Sequence, residues 1–447
     1  MSTSPARPRA ALLLLAYLAF VSLGLPDGLI GVGWPSIRAD FGVPTEAVGL
    51  VLTAGTAGYL ASSVLAGFTL ARLGVGVLLA GSTLLAAVAL TGYAVSPGLA
   101  VVVGCALVLG LGSGAIDSGL NAYAAAALGP RQMNWLHAFF GLGVAIGPLI
   151  MTGALDAGAS WRWGYGIVAG AELLLATAFV FSVRAWRARG PAAADAVLPG
   201  TPAPDAGTPA PDVPRTGGTA PDTPVPGIGD AASGPVGSLG VVVEHAPPPA
   251  TRPVPVRETL RLPAVWLGTL AFAVYVAIEV ASGLWAFLLL TEGRGLSAGT
   301  AGLCVSAYWG SLFVGRVVQG VVAERLGAAG VLRASLVGMA AGAALIALPA
   351  SGWVAVAGLV VVGFAAAPVF PLLTLTTADR VGAAHADRAI GLQIGTSALG
   401  ASLVPAGIGV LIGNTSVEVL GPVLLALALV LIALHAAGSR RRAPAPA

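Results

Sequence analysis

The stretch FGVPTEAVGLVLTAGTAGYLASSVLAGFTLARLG, residues 41–74, has a counterpart in RGLSAGTAGLCVSAYWGSLFVGRVVQGVVAERLG, residues 294–327. Both begin at a polar turn, continue through an apolar segment rich in Gly and Ala, and end in Arg-Leu-Gly. Identical residues keep a constant spacing of 253 positions, at Gly49/Gly302, Gly67/Gly320, Arg72/Arg325, Gly74/Gly327 and Gly110/Gly363. A repeat of this length predicts a chain built from two homologous halves.

The composition places most of the chain in a lipid bilayer. Hydrophobic residues make up 57% of the 447 residues and charged residues only 9%, and the mean hydropathy is +0.90. A soluble protein cannot bury that much apolar surface. Since a bilayer core takes about 20 apolar residues per helix, the apolar runs predict an all-α membrane protein. Twelve transmembrane helices in two six-helix bundles are expected.

The predicted helices are numbered as spans 1 to 12 in chain order. Spans 1 to 6 are predicted at 10–37, 44–70, 75–95, 98–127, 134–157 and 162–184, and spans 7 to 12 at 263–290, 297–322, 329–350, 352–377, 388–413 and 416–436. The first run is too long for the apolar core of a cleaved signal peptide, so we interpret it as a span.

The spans divide the chain into an N-terminal bundle, 1–186, a linker, 187–260, and a C-terminal bundle, 261–447. The linker is rich in Pro, Thr and Asp, as in PGTPAPDAGTPAPDVPRTGG at 199–218. It has no apolar period, so we expect a disordered segment.

Arginine placement predicts the orientation in the membrane. The opposite loops hold only Arg38, Arg162 and Arg294. The side that carries the termini and the linker holds Arg7, Arg9, Arg72, Arg131, Arg184, Arg187, Arg189, Arg325, Arg380, Arg440, Arg441 and Arg442. By the positive-inside rule, we expect both termini and the linker to be cytoplasmic, and the protein to lie in the cytoplasmic membrane.

The charge balance argues against several classes of protein. The 22 basic and 19 acidic residues give a net charge of only +3, which does not suit a nucleic-acid partner. The chain has no Lys and hence no Gly-x-x-x-x-Gly-Lys loop, so ATP-driven pumping is not expected. Cys105 and Cys304 lie in apolar runs and are interpreted as packing residues. We expect a monomer without enzyme activity, cofactor or metal, whose partners are a small solute, a coupling ion and the bilayer.

The repeated turn resembles a loop of a known superfamily. GFTLARLG, 67–74, and GVVAERLG, 320–327, each close the second span of a half and resemble the Gly-x-x-x-Asp-Arg-x-Gly loop of the major facilitator superfamily. Ala71 stands where the superfamily has its acid. The resemblance implies the major facilitator fold and a gating role for a set of loop residues: Arg72, Gly74, Glu324, Arg325 and Gly327.

Four acids lie inside predicted spans and away from their ends: Asp27 in span 1, Asp117 in span 4, Glu172 in span 6 and Glu279 in span 7. An unpaired charge at such a depth is expensive, so these side chains usually face a cavity or a partner. An enclosed carboxyl group can bind a proton and release it when its cavity hydrates. Asp27, Asp117 and Glu279 are therefore candidates for proton coupling, whereas we interpret Glu172 as a packing acid.

Polar side chains also form two stripes on neighbouring spans. Asp117 and Asn121 are four residues apart and share one helix face, and Asn134 and His137 form a stripe at the start of span 5. A rise of about 1.5 Å per residue places Asn121 and His137 at similar depth. Carboxylate, amide and imidazole together suit a hydroxyl-rich ligand.

The predicted substrate-binding residues are therefore Asn121, Asn134 and His137, with Tyr275, Trp285, Tyr308 and Trp309 as candidates for stacking on a sugar ring. Each of these side chains could instead serve helix packing.

A narrower resemblance points to sugar transport. GLGSGAIDSGLN, 110–121, resembles the span-4 signature of the fucose–proton symporter family, and SLGLPDG, 22–28, resembles the place of that family's other acid. NWLHAFFGLGVAIGP, 134–148, is similar to the related sodium-dependent glucose transporters. In the fucose–proton symporter family the acid is Glu where this chain has Asp117, and a Pro stands at Ala122. The C-terminal half resembles only the superfamily.

These patterns predict a secondary active transporter that works by alternating access and carries a monosaccharide or similar polyol together with a proton. Three alternatives stay open, the most distant of which is a membrane receptor or scaffold that transports nothing. GLGVAIGP, 141–148, also resembles the Gly-x-x-x-Gly-Pro element of proton-coupled drug antiporters, which would make the chain an exporter of a drug or metabolite. Sodium could also replace the proton as the coupling ion.

Overall fold

The computed structural model describes residues 10–128, 130–187 and 255–440, and every regular element within them is a helix. The helices of the N-terminal half are Ala10–Phe41, Val48–Ala94, Leu99–Ala127, Pro130–Asp156 and Trp161–Arg187. Those of the C-terminal half are Val256–Arg261, Pro263–Leu288, Ala298–Leu326, Ala328–Ala347, Gly352–Ala366, Val369–Leu375, Thr377–Val381, Ala383–Asn414 and Leu420–Arg440. Short turns of 3-10 or π type adjoin three of them at Thr45–Ala47, Leu289–Gly293 and Val417–Val419.

The predicted all-α membrane fold is confirmed. Eleven helical segments of the described chain are long and apolar enough to cross a membrane. One of them, Thr45–Ala94, has 50 residues, and at about 1.5 Å per residue it is more than twice as long as a bilayer core of about 30 Å. Its backbone leaves helical geometry at Gly74, with φ 70° and ψ 163°. The segment therefore crosses twice, as spans 2 and 3, which gives twelve spans.

One predicted boundary is wrong. The predicted linker, 187–260, includes Val256–Arg261, which forms a short helix held by a hydrogen bond of 2.9 Å between the buried Thr259 hydroxyl and His385 Nδ1. Span 10 is present at Gly352–Leu375, but its helix is interrupted at Ala367 and Pro368, because proline lacks the amide hydrogen that the helix needs. Residues 188–254 of the linker lie outside the described chain, so the predicted disorder stays a prediction.

The repeat is visible in the backbone of the turns. Gly42 and Gly295 have φ values of 63° and 66°, and Gly74 and Gly327 have φ values of 70° and 74°. Each pair is separated by the same 253 positions as the sequence repeat. Residues other than glycine rarely adopt positive φ, so the two halves use the same turn at the same place.

Glycine also lets helices of one half lie directly against each other. A Cβ atom at Gly143 of span 5 would lie 2.0 Å from the carbonyl oxygen of Val21 in span 1. A Cβ atom at Gly28 of span 1 would lie 2.4 Å from the carbonyl oxygen of Val144. Because lipid provides no hydrophobic force between helices, such close backbone contact is the main source of their association.

The two halves meet closely at the face opposite the chain termini, which we call the distal face. Several glycines on this side contact the other half, and we call three of them the distal seam: Gly31 against Gly283, Gly49 against Ala406 and Gly302 against Thr152. A Cβ atom at these glycines would lie 3.0, 2.7 and 1.8 Å, respectively, from the nearest atom of the partner. The structure is therefore closed at the distal face.

Ion pairs lie beside the distal seam. Arg38 of the first half donates to Glu292 of the second at 2.7 Å. Each half also ties its own helix ends together, through Asp40 with Arg162 in the first half and Arg294 with Glu418, at 2.8 Å, in the second. In the first half the acid, Asp40, is at the end of span 1. In the second half the arginine, Arg294, takes the corresponding place after span 7, so acid and base are exchanged between the repeated halves.

The distal seam generates a prediction about conformation. Gly302→Val should force the halves apart at the distal face, because even one added methyl group overlaps the side chain of Thr152. Gly310→Val is the matched control, since it lies in the same span and a Cβ atom there meets nothing within 4 Å. Distances between spin labels at Ala157 and Ala298, measured after replacement of the native cysteines, should lengthen in the first variant only.

Equal distance distributions in the two valine variants would show that the distal seam does not hold this face closed.

Candidate substrate and proton site

Asp27 lies near the middle of span 1, and its side chain is exposed although its neighbours Leu25, Pro26 and Gly28 are buried. The helix continues through Pro26 without interruption. Asp27 makes no hydrogen bond or ion pair with the described residues. The acid therefore faces an accessible space between the bundles at mid-membrane depth.

Asp117 is held by hydrogen bonds on both carboxylate oxygens. The hydroxyl of Tyr59, in span 2, donates to Oδ2 at 2.6 Å, and Nδ2 of Asn121 donates to Oδ1 at 2.9 Å. Span 2 can approach because small residues line this side of span 4: a Cβ atom at Gly114 would lie 2.6 Å from the carbonyl oxygen of Tyr59. The sequence predicted the stripe but not Tyr59, which is 58 residues away from Asp117 along the chain.

Asn121 presents an unused acceptor. Its Nδ2 must face Asp117, because the amide oxygen would repel the carboxylate if the side chain were reversed. Its Oδ1 is buried and has no hydrogen-bond partner among the described residues. A buried acceptor without a partner costs free energy, so this atom suits a donor supplied by a ligand in a conformation that exposes it.

His137 lies between the polar groups of the two halves. Its side chain is exposed, and its ring lies edge-on to the Phe20 ring, with the two ring centroids 5.4 Å apart. Its carbonyl oxygen accepts a hydrogen bond from Arg316 of the second half. Asn134 begins the same stripe in helix Pro130–Asp156, but its side chain lies outside the part of the chain that the structure describes. The predicted substrate contact of both residues stays a prediction.

Glu279 belongs to a second polar cluster, in the C-terminal half. The hydroxyl of Tyr275 donates to Glu279 Oε2, and the hydroxyl of Tyr308 donates to the Glu279 carbonyl oxygen at 2.7 Å. Arg316 Nη2 lies 4.0 Å from Glu279 Oε1, while Nη1 donates to the His137 carbonyl oxygen at 3.3 Å. The sequence prediction missed Arg316, although an arginine within the apolar run of span 8 was a visible signal.

The four predicted stacking aromatics are enclosed by helices in this structure. Tyr275, Trp285 and Tyr308 are at most 1% exposed, and Trp309 is 7% exposed. The Trp285 indole donates to the Pro405 carbonyl oxygen at 3.1 Å, and the Trp309 ring covers Gly283. Stacking of these rings on a substrate stays a prediction and requires a conformation other than this one.

The structure describes the side chains of only some predicted gating-loop residues. Gly74 and Gly327 adopt matching positive φ values at the two repeated turns. The guanidinium of Arg72 lies over the Phe68 ring at 4.0 Å. The side chains of Glu324 and Arg325 lie outside the described part of the chain, and their gating role stays a prediction.

Glu172 lies apart from both polar clusters. It is 2% exposed, it sits in span 6 against span 1, and its Oε2 has no hydrogen-bond partner among the described residues. This position is compatible with the interpretation as a packing acid.

The two bundles with a polar site between them form the fold of a multi-pass membrane transporter. The family model of the Major Facilitator Superfamily matches residues 16–405 and also 267–446. The chain belongs to this superfamily of secondary transporters.

Solved structures support the same fold at low identity. A mutant of the nucleoside transporter NupG has a TM-score of 0.70 and 12% identity, covering 96% of this chain and 99% of that one. The peptide transporter POT in complex with sulfate has a TM-score of 0.69 and 14% identity, covering 98% of each chain. No curated protein matches the sequence. At these identities the likeness shows the fold alone.

The contact between Tyr59 and Asp117 generates a prediction about stability. Tyr59→Phe should lower the free energy of unfolding by about 1–3 kcal/mol, because the partly buried carboxyl group of Asp117 loses a donor. Tyr165→Phe is the matched control, since the Tyr165 hydroxyl is buried without a partner among the described residues. Unfolding of the purified variants in detergent measures both effects. Equal stability of the two variants would contradict the predicted hydrogen bond.

Proposed function

We propose that this protein is a proton-coupled symporter of a small hydroxylated solute, a monosaccharide or similar polyol. The observation that carries the proposal is the combination of an unpaired, accessible acid at Asp27 with the hydrogen-bonded group of Tyr59, Asp117 and Asn121. The first can exchange a proton, and the second offers donors and acceptors to a ligand.

Hydroxyl recognition is assigned to the face that carries Asn121 and His137. A substrate hydroxyl would donate to the free Oδ1 of Asn121, whose direction is set by Asp117. The exposed imidazole of His137 adds a second polar group that can donate or accept. A hydroxyl group both donates and accepts, so it suits this mixture better than a purely apolar ligand does.

Proton coupling is assigned first to Asp27. Both oxygens of Asp117 already accept hydrogen bonds, and Glu279 lies beside Arg316, whereas Asp27 has no such partner in the described chain. Asp117 and Glu279 remain in the proposed coupling set. A proton and a substrate that favour the same conformation are coupled through the shared equilibrium between the two access states.

Alternating access across the cytoplasmic membrane completes the proposal. The distal seam is closed, while Asp27 and His137 are accessible, so the site opens toward the face that carries the termini. The arginine distribution supports a cytoplasmic position for that face. We therefore propose that this is the inward-open state of a transporter that works as a monomer.

The proposed coupling is tested at Asp27. Asp27→Asn should abolish uphill accumulation of substrate on a proton gradient and leave some exchange of substrate across the membrane, because the amide cannot carry a proton. Glu172→Gln, which changes a carboxyl group away from both clusters, is the control. Transport into proteoliposomes with an imposed pH or sodium gradient measures the effect.

Accumulation by Asp27→Asn on a proton gradient would contradict the assignment, and accumulation by the wild type on sodium alone would favour the sodium alternative.

The proposed substrate class is tested at Asn121 and His137. Asn121→Ala and His137→Ala should each weaken sugar binding by roughly ten- to a hundredfold, since a hydrogen bond lost at a desolvated group costs about 1–3 kcal/mol. An amphipathic drug is held mainly by apolar area and should bind both variants like the wild type. Unchanged sugar affinity together with drug binding would favour the export alternative.

A further inference from the structure

Arg316 makes fewer contacts than the other arginine that is enclosed between helices. Arg294 is 5% exposed, donates to the carbonyl oxygens of Ala350 and Ile346 at 2.7 and 3.0 Å, and pairs with Glu418. Within the described chain, Arg316 has one hydrogen bond of 3.3 Å and one acid at 4.0 Å. A guanidinium group carries five N–H donors, so most of its capacity is unused.

Glu279 does not use the hydrogen-bond donors of Arg316. A separation of 4.0 Å between Nη2 and Oε1 is too long for a hydrogen bond. The other oxygen of Glu279 accepts from Tyr275, which directs the carboxylate away from the arginine. The two side chains are 22% and 13% exposed, so both can be reached from the space between the bundles.

Arg316 also lies next to the proposed sugar-binding face. Its Nη1 donates to the carbonyl oxygen of His137. Gly141 leaves room for the arginine beside span 5, since a Cβ atom at this glycine would lie 3.7 Å from Arg316 Nη1. Arg316 therefore lies beside the span that carries His137, one of the residues proposed to bind the hydroxyl groups.

We propose that the substrate is a hydroxylated carboxylate, a sugar acid, and that Arg316 binds its carboxylate group. This inference rests on the proposed function, because the hydroxyl groups use the face of Asn121 and His137. The planar guanidinium group matches a carboxylate through two parallel hydrogen bonds. A neutral sugar would leave these donors without a partner at membrane depth.

Binding of the acid changes the charge balance of the cluster. The ligand carboxylate takes the place of Glu279 as the acceptor beside Arg316. The bound anion and a proton carried at Asp27 together add no net charge to the site. The other titratable groups that face this cluster are Tyr275, Tyr308, His137 and Asp117.

Matched ligand pairs test the inference. Glucose with glucuronate, and galactose with galacturonate, differ by one carboxylate group, and binding to the purified full-length chain can be measured by calorimetry. We expect each acid to bind at least about tenfold more tightly than its neutral partner. Arg316→Gln should remove this preference, Arg316→Lys should keep part of it, and Arg333→Gln, at an exposed arginine of span 9, should retain it.

A second variant separates recognition from a structural ion pair. Glu279→Gln removes the competing carboxylate, so the acid should bind more tightly than it does to the wild type. If Glu279→Gln loses acid binding as Arg316→Gln does, the two residues only support each other and the inference is wrong.

The outcomes also distinguish this inference from the proposed function. If neutral sugars bind with the same affinity as their acids, the inference is wrong, but the proposed sugar symport is not contradicted. No binding of either member of a pair would overturn both.

Discussion

The backbones of spans 2 and 4 touch where a Cβ atom at Gly110 would sit 2.0 Å from the carbonyl oxygen of Gly55. Such contacts between helices decide where every polar group of the site lies. Gly114 brings Tyr59 within hydrogen-bond distance of Asp117, and Gly143 brings span 5 against span 1 near Asp27. A chain with larger residues at these positions would keep its helices but move its carboxylates apart. Packing through small residues is thus the constraint on which the chemistry depends.

The two halves share their turns but not their polar content. Gly42 matches Gly295 in conformation, yet the position equivalent to Asp117 is Phe370, whose ring packs edge-on against Phe272 at 5.3 Å. The N-terminal half supplies an accessible acid and amide groups, whereas the C-terminal half supplies Glu279 and its arginine. The two halves therefore share a backbone fold, whereas their side chains have diverged and make the cavity chemically asymmetric.

Local sequence patterns predicted the spans, the repeated turn and the shared face of Asp117 and Asn121, because each depends on residues near in the chain. They could not predict the bond from Tyr59 to Asp117, which depends on how two separate helices pack. The sequence did not predict the helix at Val256–Arg261, because this helix follows a Pro-rich segment and is stabilised by a hydrogen bond to His385, which is distant in the chain. Arg316, in contrast, could have been predicted, because a single arginine within the apolar run of span 8 is visible in the sequence.

The ion pair between Arg38 and Glu292 joins the two halves at the distal face, and its side chains are 28% and 51% exposed. Exposed pairs of this kind contribute about 0–1 kcal/mol and are screened by salt over about 8 Å at physiological ionic strength. Closure at this face therefore depends chiefly on the uncharged contacts of Gly31, Gly49 and Gly302. A transporter sealed in this way can keep its conformational balance when the salt concentration at that face changes.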